Sequence, residues 1–167
     1  MQPRWLRSRN IPVGTNGQSL ENEKAKALLR AVLDANVYVA AYLSRNPRSP
    51  NKELFWRWRD SQFVLLVSRA ILEEVVEKFG ELGIDQRLTL DLVSYILADA
   101  EYVPISEDDV QPVILADPDD DYVLACAMVG KADYLVTYDP HFDCLGGEYK
   151  GLKIVDGLHF LYIIRGD

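Results

Sequence analysis

The chain is poor in the residues that build disulfide-bonded or zinc-bound proteins. Its 167 residues include only two cysteines and two histidines. Two cysteines cannot form a disulfide framework, and Cys126 lies in an apolar helical pattern, so we expect a reduced, cytoplasmic protein. His141 and His159 are isolated from other zinc ligands in the sequence, and we expect each to be a surface or packing residue.

Long hydrophobic runs are also missing. No apolar run approaches the ~20 residues that a membrane-spanning helix needs, and the first residues lack the apolar core of a secretory signal. We therefore expect no membrane association. Hydrophobic residues make up 49% of the chain, enough for the core of one domain. We expect residues 1–27 to form an irregular arm, with a short helix across Glu21–Leu29, and residues 28–167 to form the folded domain.

The charge is negative and unevenly distributed. The net charge is −8, yet residues 1–30 carry a net charge of +4 and the remainder carries −12. An acidic body argues against a surface that simply grips phosphates. Two interpretations stay open: the acids keep the protein soluble, or some of them are balanced by divalent cations, which would let an acidic cleft hold phosphate.

Short apolar runs alternate with helical patterns along the folded part. Strands are predicted at 31–33, 63–67, 102–105, 133–137 and 153–155. Helices are predicted at 37–43, 52–59, 69–79, 85–98 and 120–129, with a further helical turn or two at 158–163. This alternation implies crossover connections and therefore a parallel sheet.

Acidic residues follow two of the predicted strands. Asp34 closes the first strand, and Asp139 follows the fourth strand by two residues. Ligands of parallel sheets bind beyond the carboxyl ends of the strands. We therefore expect these two carboxylates to lie near each other at one edge of the sheet.

The segment Asp117–Asp121 contains four acids in five residues. Helix capping and the helix dipole explain one or two of them. Asp121 lies three and four residues before Leu124 and Ala125, so helical spacing places it on their buried face, pointing toward the strand ends. We expect Asp117, Asp119 and Asp120 to lie in solvent or outside the innermost part of the site, with Asp117 as a candidate for a supporting role.

The helix predicted at 69–79 offers Glu73 and Glu74 as further candidates. Both lie about equally far from the centre of its apolar stripe, so helical geometry does not choose between them. A solvated face with a weak Glu74–Lys78 pair, worth ~0.3 kcal/mol, is the simpler interpretation. Carboxylates that meet in a cleft repel one another unless a cation neutralises them, and Mg²⁺ or Mn²⁺ prefers such oxygen ligands.

Four segments together resemble the PIN-domain family of nucleases. Val32–Asn36 is similar to the family's strand-ending Asp-x-Asn, and Ser68–Glu74 places a glutamate six residues after a serine, which selects Glu74. Asp117–Ala127 resembles the family's aspartate before a Leu-x-x-Ala helix and points to Asp121. Ala132–Asp139 resembles the strand that ends in Thr-x-Asp.

The resemblance implies a three-layer α/β/α domain with a mostly parallel central sheet of about five strands. It implies Mg²⁺- or Mn²⁺-dependent hydrolysis of RNA phosphodiester bonds. Many bacterial members are toxins that pair with an antitoxin protein and form homodimers, so the same partners are expected here. By the resemblance, the catalytic and metal-binding residues are Asp34, Glu74, Asp121 and Asp139, and the residues that support them or orient the substrate are Asn36, Thr137 and Asp117.

An acidic nuclease also needs basic side chains to hold the RNA backbone. The best group lies between the first two strands and comprises Arg45, Arg48, Lys52, Arg57 and Arg59. Trp56 and Trp58 lie among them, and we expect core or dimer contacts for them more than base stacking.

Three other functions fit the sequence less well. A PIN fold used only to bind RNA or protein would not need the complete set of acids. A haloacid-dehalogenase-like phosphatase would carry an acid where this chain has Asn36 and a catalytic lysine that Lys131 is poorly placed to supply. A receiver domain needs paired acids after its first strand, and Asp34 has no acidic neighbour.

Overall fold

A computed structural model describes Leu6 and residues 27–167 and shows a six-stranded sheet with the strand order β3-β2-β1-β4-β6-β5. Every pairing is parallel except that of β5 with β6. The strands are β1 (Arg30–Leu33), β2 (Val64–Val67), β3 (Glu101–Tyr102), β4 (Tyr134–Val136), β5 (Glu148–Tyr149) and β6 (Leu152–Val155).

Six α-helices connect and flank these strands. They are α1 (Ala35–Leu43), α2 (Pro50–Arg59), α3 (Arg69–Glu81), α4 (Gln86–Asp99), α5 (Asp120–Val129) and α6 (Gly157–Arg165). Helix α5 packs against β1, β2 and β4, whereas α6 packs against β4 and α2, and α1 packs against α3. Within the described residues no helix has the length and apolar character needed to cross a membrane.

Polar residues at the strand ends start the next helices. Asp34 caps α1 by accepting a hydrogen bond from the Ala35 amide, and Ser68 caps α3 by accepting one from the Ile71 amide. An N-cap side chain satisfies one of the amides that a helix leaves unpaired at its start. Each crossover therefore begins with a sharp turn at the carboxyl end of its strand, which leaves these polar side chains at that edge of the sheet.

The centre of the sheet is fixed by the pairing of β1 with both neighbours. Val32 pairs with Leu66 of β2 and with Leu135 of β4, and all three side chains are fully buried. Such continuous apolar strands are typical of parallel sheets that helices cover on both faces. A close packing contact also explains Gly130 at the end of α5, because a Cβ there would lie 2.9 Å from Leu66 Cδ1.

The expected fold class is confirmed, with differences in detail. The sheet has six strands, because a two-residue antiparallel strand, β5, adds to its edge. The third strand covers Glu101–Tyr102 and not 102–105, since Pro104 cannot donate to a ladder. Helix α3 continues past Gly80 to Glu81. The helix expected across Glu21–Leu29 falls mostly outside the described residues, and 27–29 form no helix.

Candidate functional site

The ends of β1 and β4 meet at the residues that the sequence singles out. The Asp34 amide donates to the Val136 carbonyl over 2.9 Å, which extends the pairing of the two strands by one step. The Thr137 hydroxyl donates to Asp34 Oδ2 over 2.7 Å. The same Thr137 oxygen accepts a hydrogen bond of 3.0 Å from the Asp139 amide. Thr137 therefore ties the two strand-ending acids into one hydrogen-bonded unit.

Asp34 is the buried centre of this unit. Its residue exposure is 2%, and its Oδ1 accepts a hydrogen bond of 2.8 Å from the Ala35 amide. The Asn36 amide group lies 3.4 Å from Oδ2, while its carbonyl oxygen accepts from the Tyr138 amide. Burial raises the pKa of Asp34 from 3.8 to about 6, and the charge of Glu74 acts in the same direction against the Thr137 hydrogen bond.

Helix α3 brings Glu74 close enough for its charge to act on Asp34, whereas Glu73 is more exposed. Glu73 is exposed and pairs with Arg69 over 2.6 Å. Glu74 is half-buried and pairs with Lys78 over 3.1 Å. Partial burial lowers the pKa of Lys78, but the hydrogen bond with Glu74 and the charge of Asp34 outweigh it and raise the pKa overall. A lysine ammonium thus shares this acidic region.

Asp120 lies inside the site, although we expected it in solvent or at the outer part of the site. Its exposure is only 4%, so the expectation of a solvent position is wrong. Burial raises the pKa of Asp120 from 3.8 to about 6, and the nearby charges of Asp139, Asp117 and Asp34 act in the same direction. These interactions place Asp120 among the acids that follow β1 and β4.

Asp121 is buried, as its helical spacing predicted, and its carboxylate contacts the chain that precedes the helix. Its Oδ1 accepts hydrogen bonds from the amides of Val113, over 3.0 Å, and Ile114, over 2.7 Å. The carboxylate therefore anchors the segment that precedes α5. Helical spacing did not predict that Asp120 is buried too, because α5 is buried on most of its circumference, including every residue from Val123 to Ala127. A metal-binding role for Asp121 stays a prediction.

His141 joins the acids from a short 3-10 helix that starts after Asp139. Its Nδ1 lies 2.9 Å from Asp120 Oδ2 and 3.4 Å from Asp139 Oδ1. Asp139 also accepts a hydrogen bond of 2.9 Å from the His141 amide. The bond with Asp120 raises the pKa of His141 above 6.5. The expectation that His141 is isolated is therefore wrong, whereas His159 pairs with Asp156 at the exposed start of α6.

Asp117 completes a group of possible metal ligands with Asp120 and His141. One ligand atom from each side chain lies within 4.8 Å of the other two. An open cleft of about 550 Å³ runs alongside, between α3 and the start of α5. Its walls include Glu74, Lys78 and Asp117. The cleft therefore leaves Glu74 and Asp117 accessible from solvent.

The predicted RNA-contacting residues differ in exposure and in their hydrogen bonds. Arg45 and Arg48 are exposed on the loop between α1 and α2. Lys52 is buried, and its ammonium donates to the Ser44 carbonyl over 2.5 Å. The other two arginines are half-buried and hydrogen-bonded: Arg57 binds Glu53 and Gln62, and Arg59 binds the Leu6 carbonyl. The expected core position of the tryptophans is confirmed by exposures of 3% for Trp56 and 5% for Trp58.

The site contains more negative charge than its own cations balance. Four acids interact electrostatically, directly or through a shared neighbour: Asp34, Glu74, Asp120 and Asp139. Among the described residues, their cationic partners are Lys78 and His141. Burial disfavours the charged forms of these carboxylates, and a bound cation would favour them, which is a feature of many functional sites. The arrangement can hold a divalent cation through oxygen atoms.

Comparison with known proteins places this arrangement in a family. A family model described as a PIN domain matches residues 30–141. One chain of the crystal structure of VapBC2 from Rickettsia felis, bound to a DNA fragment from its promoter, has a similar fold, with a TM-score of 0.54 and 13% identity. The similarity covers 75% of this chain and 97% of that chain. No curated protein sequence matches. Because the family model spans most of the folded part, this chain belongs to the PIN-domain family.

Proposed function

We propose that the protein is a metal-dependent endoribonuclease. One observation carries the proposal: a buried aspartate, Asp34, is fixed by Thr137 at the edge of the sheet while the charges of Glu74 and Asp120 converge on it. A purely structural site would neutralise these carboxylates with protein cations or leave them in solvent. Membership of the PIN-domain family points to the same chemistry.

The residues present fit a hard divalent cation, Mg²⁺ or Mn²⁺. The donors are carboxylate oxygens, and Asp34 and Asp120 have raised pKa values because they are buried, with neighbouring acids acting in the same direction. We assign the cation to Asp34, Glu74, Asp120 and Asp139. Asp121 stays a candidate ligand through its second carboxylate oxygen, since Oδ1 is bound by two backbone amides. When bound, such a cation activates water and polarises a scissile phosphate.

Neighbouring groups would keep these ligands in position. Thr137 holds Asp34 Oδ2, so the carboxylate cannot rotate away from the cleft without losing a hydrogen bond of 2.7 Å. Asn36 contacts both Asp34 and the Tyr138 amide, which links the start of α1 to the segment after β4. Such supporting contacts preorganise metal ligands, and their loss typically lowers metal affinity by about 10- to 100-fold.

The substrate backbone would be held by exposed arginines. Arg45 and Arg48 are the free candidates, since Lys52 is buried against Ser44. Their charges would reduce the repulsion between the RNA and the acidic body of the chain. Hydrolysis would leave a 5′-phosphate and a 3′-hydroxyl, which gives the assay a defined product to measure.

The biological role that we propose is that of a toxin controlled by an antitoxin. This rests on the family resemblance, and the similarity in fold to a chain of the VapBC2 complex supports it. The protein would act on RNA in the cytoplasm, as a homodimer, until an antitoxin protein bound it. Co-expression with candidate small proteins encoded beside it, followed by measurement of growth, tests the pairing.

Cleavage of a defined RNA with Mn²⁺ or with a chelator tests the enzymatic proposal. Asp34→Asn and Glu74→Gln are expected to abolish cleavage, because each removes a ligand charge without changing side-chain size. Asp91→Asn is the matched control, since Asp91 is an exposed acid on α4 and does not line the cleft. Wild-type cleavage by the purified Asp34→Asn variant, with contaminating nuclease excluded, would refute the proposal.

The alternative is a catalytically inactive PIN-fold module that binds RNA or protein. Such a module has no reason to retain a tight cation site. A calorimetric titration with Mn²⁺ separates the two: binding that Asp34→Asn removes supports the enzyme, and its absence in the wild type supports the binding module.

A further inference from the structure

We infer that Asp117, Asp120 and His141 form a cation position with a nitrogen ligand, which takes Mn²⁺ or Zn²⁺ in preference to Mg²⁺. The inference rests on the proposed function in one respect, because Asp120 is shared with the carboxylate site. It adds a position next to Asp120, where the ligand set contains an imidazole.

The distances suit a single ion. One ligand atom from each of the three side chains lies within 4.8 Å of the others, and the His141 Nδ1 to Asp120 Oδ2 distance is 2.9 Å. Ligands bound to one ion at about 2.1 Å lie roughly 3 to 4.2 Å apart. Side-chain adjustments of a few tenths of an ångström would therefore bring all three atoms into coordination.

The mobility of each group also suits binding. Asp120 is buried and comes from the first turn of α5, so its backbone is fixed. The side chain of His141 is 40% exposed, so it can turn toward an ion that enters from solvent. Asp117 already accepts a hydrogen bond of 3.0 Å from the Asp119 amide, which fixes the turn before the helix.

The surrounding negative charge favours a divalent cation over the present pairing of His141 with Asp120. His141 faces two carboxylates, Asp120 and Asp139, and the charge of Asp117 reaches it as well. A divalent ion would bring more positive charge to these acids than one imidazolium does. In exchange, His141 would bind through its neutral ring nitrogen.

The imidazole determines which ion the position prefers. Nitrogen ligands suit zinc and other transition metals, and Mg²⁺ is bound almost entirely by oxygen. The carboxylate site of the proposed function, with oxygen donors alone, accepts Mg²⁺ and Mn²⁺ alike. Replacement of His141 should therefore change the discrimination between Mg²⁺ and Mn²⁺, which the carboxylates do not control.

Pulsed electron paramagnetic resonance with Mn²⁺ alone tests direct ligation. The chain contains only two histidines, so a His159→Ala variant leaves His141 as the single imidazole. His159 is a matched control, because it also contacts an aspartate through Nδ1, at 2.7 Å, but at the exposed start of α6. In the His159→Ala variant, grown with ¹⁵N-histidine, we expect a histidine nitrogen coupling to Mn²⁺, and His141→Ala should lose it.

Calorimetry with Mn²⁺, Zn²⁺ and Mg²⁺ supplies the second measurement. His141→Ala should weaken Mn²⁺ and Zn²⁺ binding at this position by at least about tenfold and leave Mg²⁺ binding unchanged. His141→Asp should lose the nitrogen coupling but keep Mn²⁺ bound through oxygen. Circular dichroism confirms that each variant is folded.

The outcomes separate the two proposals. If Mn²⁺ binds, Asp34→Asn weakens it and no histidine nitrogen couples to it, the His141 position is refuted and the carboxylate site stands. If neither Mn²⁺ nor Zn²⁺ binds the wild-type protein, both proposals fail.

Discussion

Replacement of Asp34 by asparagine should stabilise the metal-free protein at neutral and alkaline pH while it removes the response to metal. Burial raises the pKa of this carboxyl group from 3.8 to about 6. The folded state therefore binds the proton more tightly than the unfolded chain does. The stabilisation that results is fully present below pH 3.8 and is lost as the pH rises through about 6.

The expected magnitude follows from that difference in pKa. A tenfold change in proton affinity corresponds to about 1.4 kcal/mol, so the ionised Asp34 makes folding at about pH 8 roughly 3 kcal/mol less favourable than a neutral group would. Asparagine avoids this cost but weakens the contact with the Thr137 hydroxyl, worth about 1 kcal/mol. The net expectation is a variant roughly 2 kcal/mol more stable at about pH 8, with little or no advantage at acidic pH.

Urea denaturation in the presence of chelator, repeated across the pH range, measures this pH-dependent difference in stability between the wild type and Asp34→Asn. Asp91→Asn, on the exposed side of α4, controls for the loss of one negative charge from the whole protein. With Mn²⁺ at about a hundred times its dissociation constant, the wild type should gain about 2.7 kcal/mol and Asp34→Asn should gain almost nothing. Parallel stability curves for the wild type and Asp34→Asn, without metal, would refute the reasoning.

Three further predictions concern neighbouring residues. Asp121→Ala should cost about 2–4 kcal/mol in urea denaturation, because it leaves two backbone amides without their charged acceptor; a stability equal to the wild type would contradict the anchoring role. Lys78→Met should strengthen Mn²⁺ binding by about threefold or more in calorimetry, since its ammonium competes for Glu74; weaker binding would mean that Lys78 helps to shape the site. Gly130→Ala should cost about 1–3 kcal/mol in thermal melting, because its Cβ would press on Leu66; an unchanged melting temperature would show that the neighbours move aside freely.

The carboxyl edge of the sheet could be predicted because its signals are local. Asp34 ends a short buried run and Asp139 follows another, so the rule for parallel strands brings them together before any coordinates exist. The helices could also be predicted, since capping residues such as Ser68 precede apolar patterns with helical periodicity. The smallest elements were missed, because a pair as short as Glu148–Tyr149 has no periodicity and is defined by its contact with β6.

The choice between adjacent acids required the structure. Helical spacing and the resemblance both pointed to Asp121, and the structure shows that Asp120 is buried beside it because α5 is buried on most sides. His141 was missed for a different reason. Its partner, Asp120, lies 21 residues earlier, and only the turn that Asp139 starts after β4 brings the two together. A histidine two residues after a strand-ending aspartate was the signal in the sequence.

The bond between Thr137 and Asp34 makes the site dependent on synthesis of most of the chain. The two residues are 103 positions apart, and each lies one step beyond the last pair of β1 and β4, Leu33 with Val136. A shift of one residue in the register of β4 against β1 would turn Thr137 to the opposite face of the sheet. A nascent chain that has not yet paired these strands carries Asp34 and Glu74 without their partners. The proposed toxin would therefore stay harmless on the ribosome until its fourth strand docks.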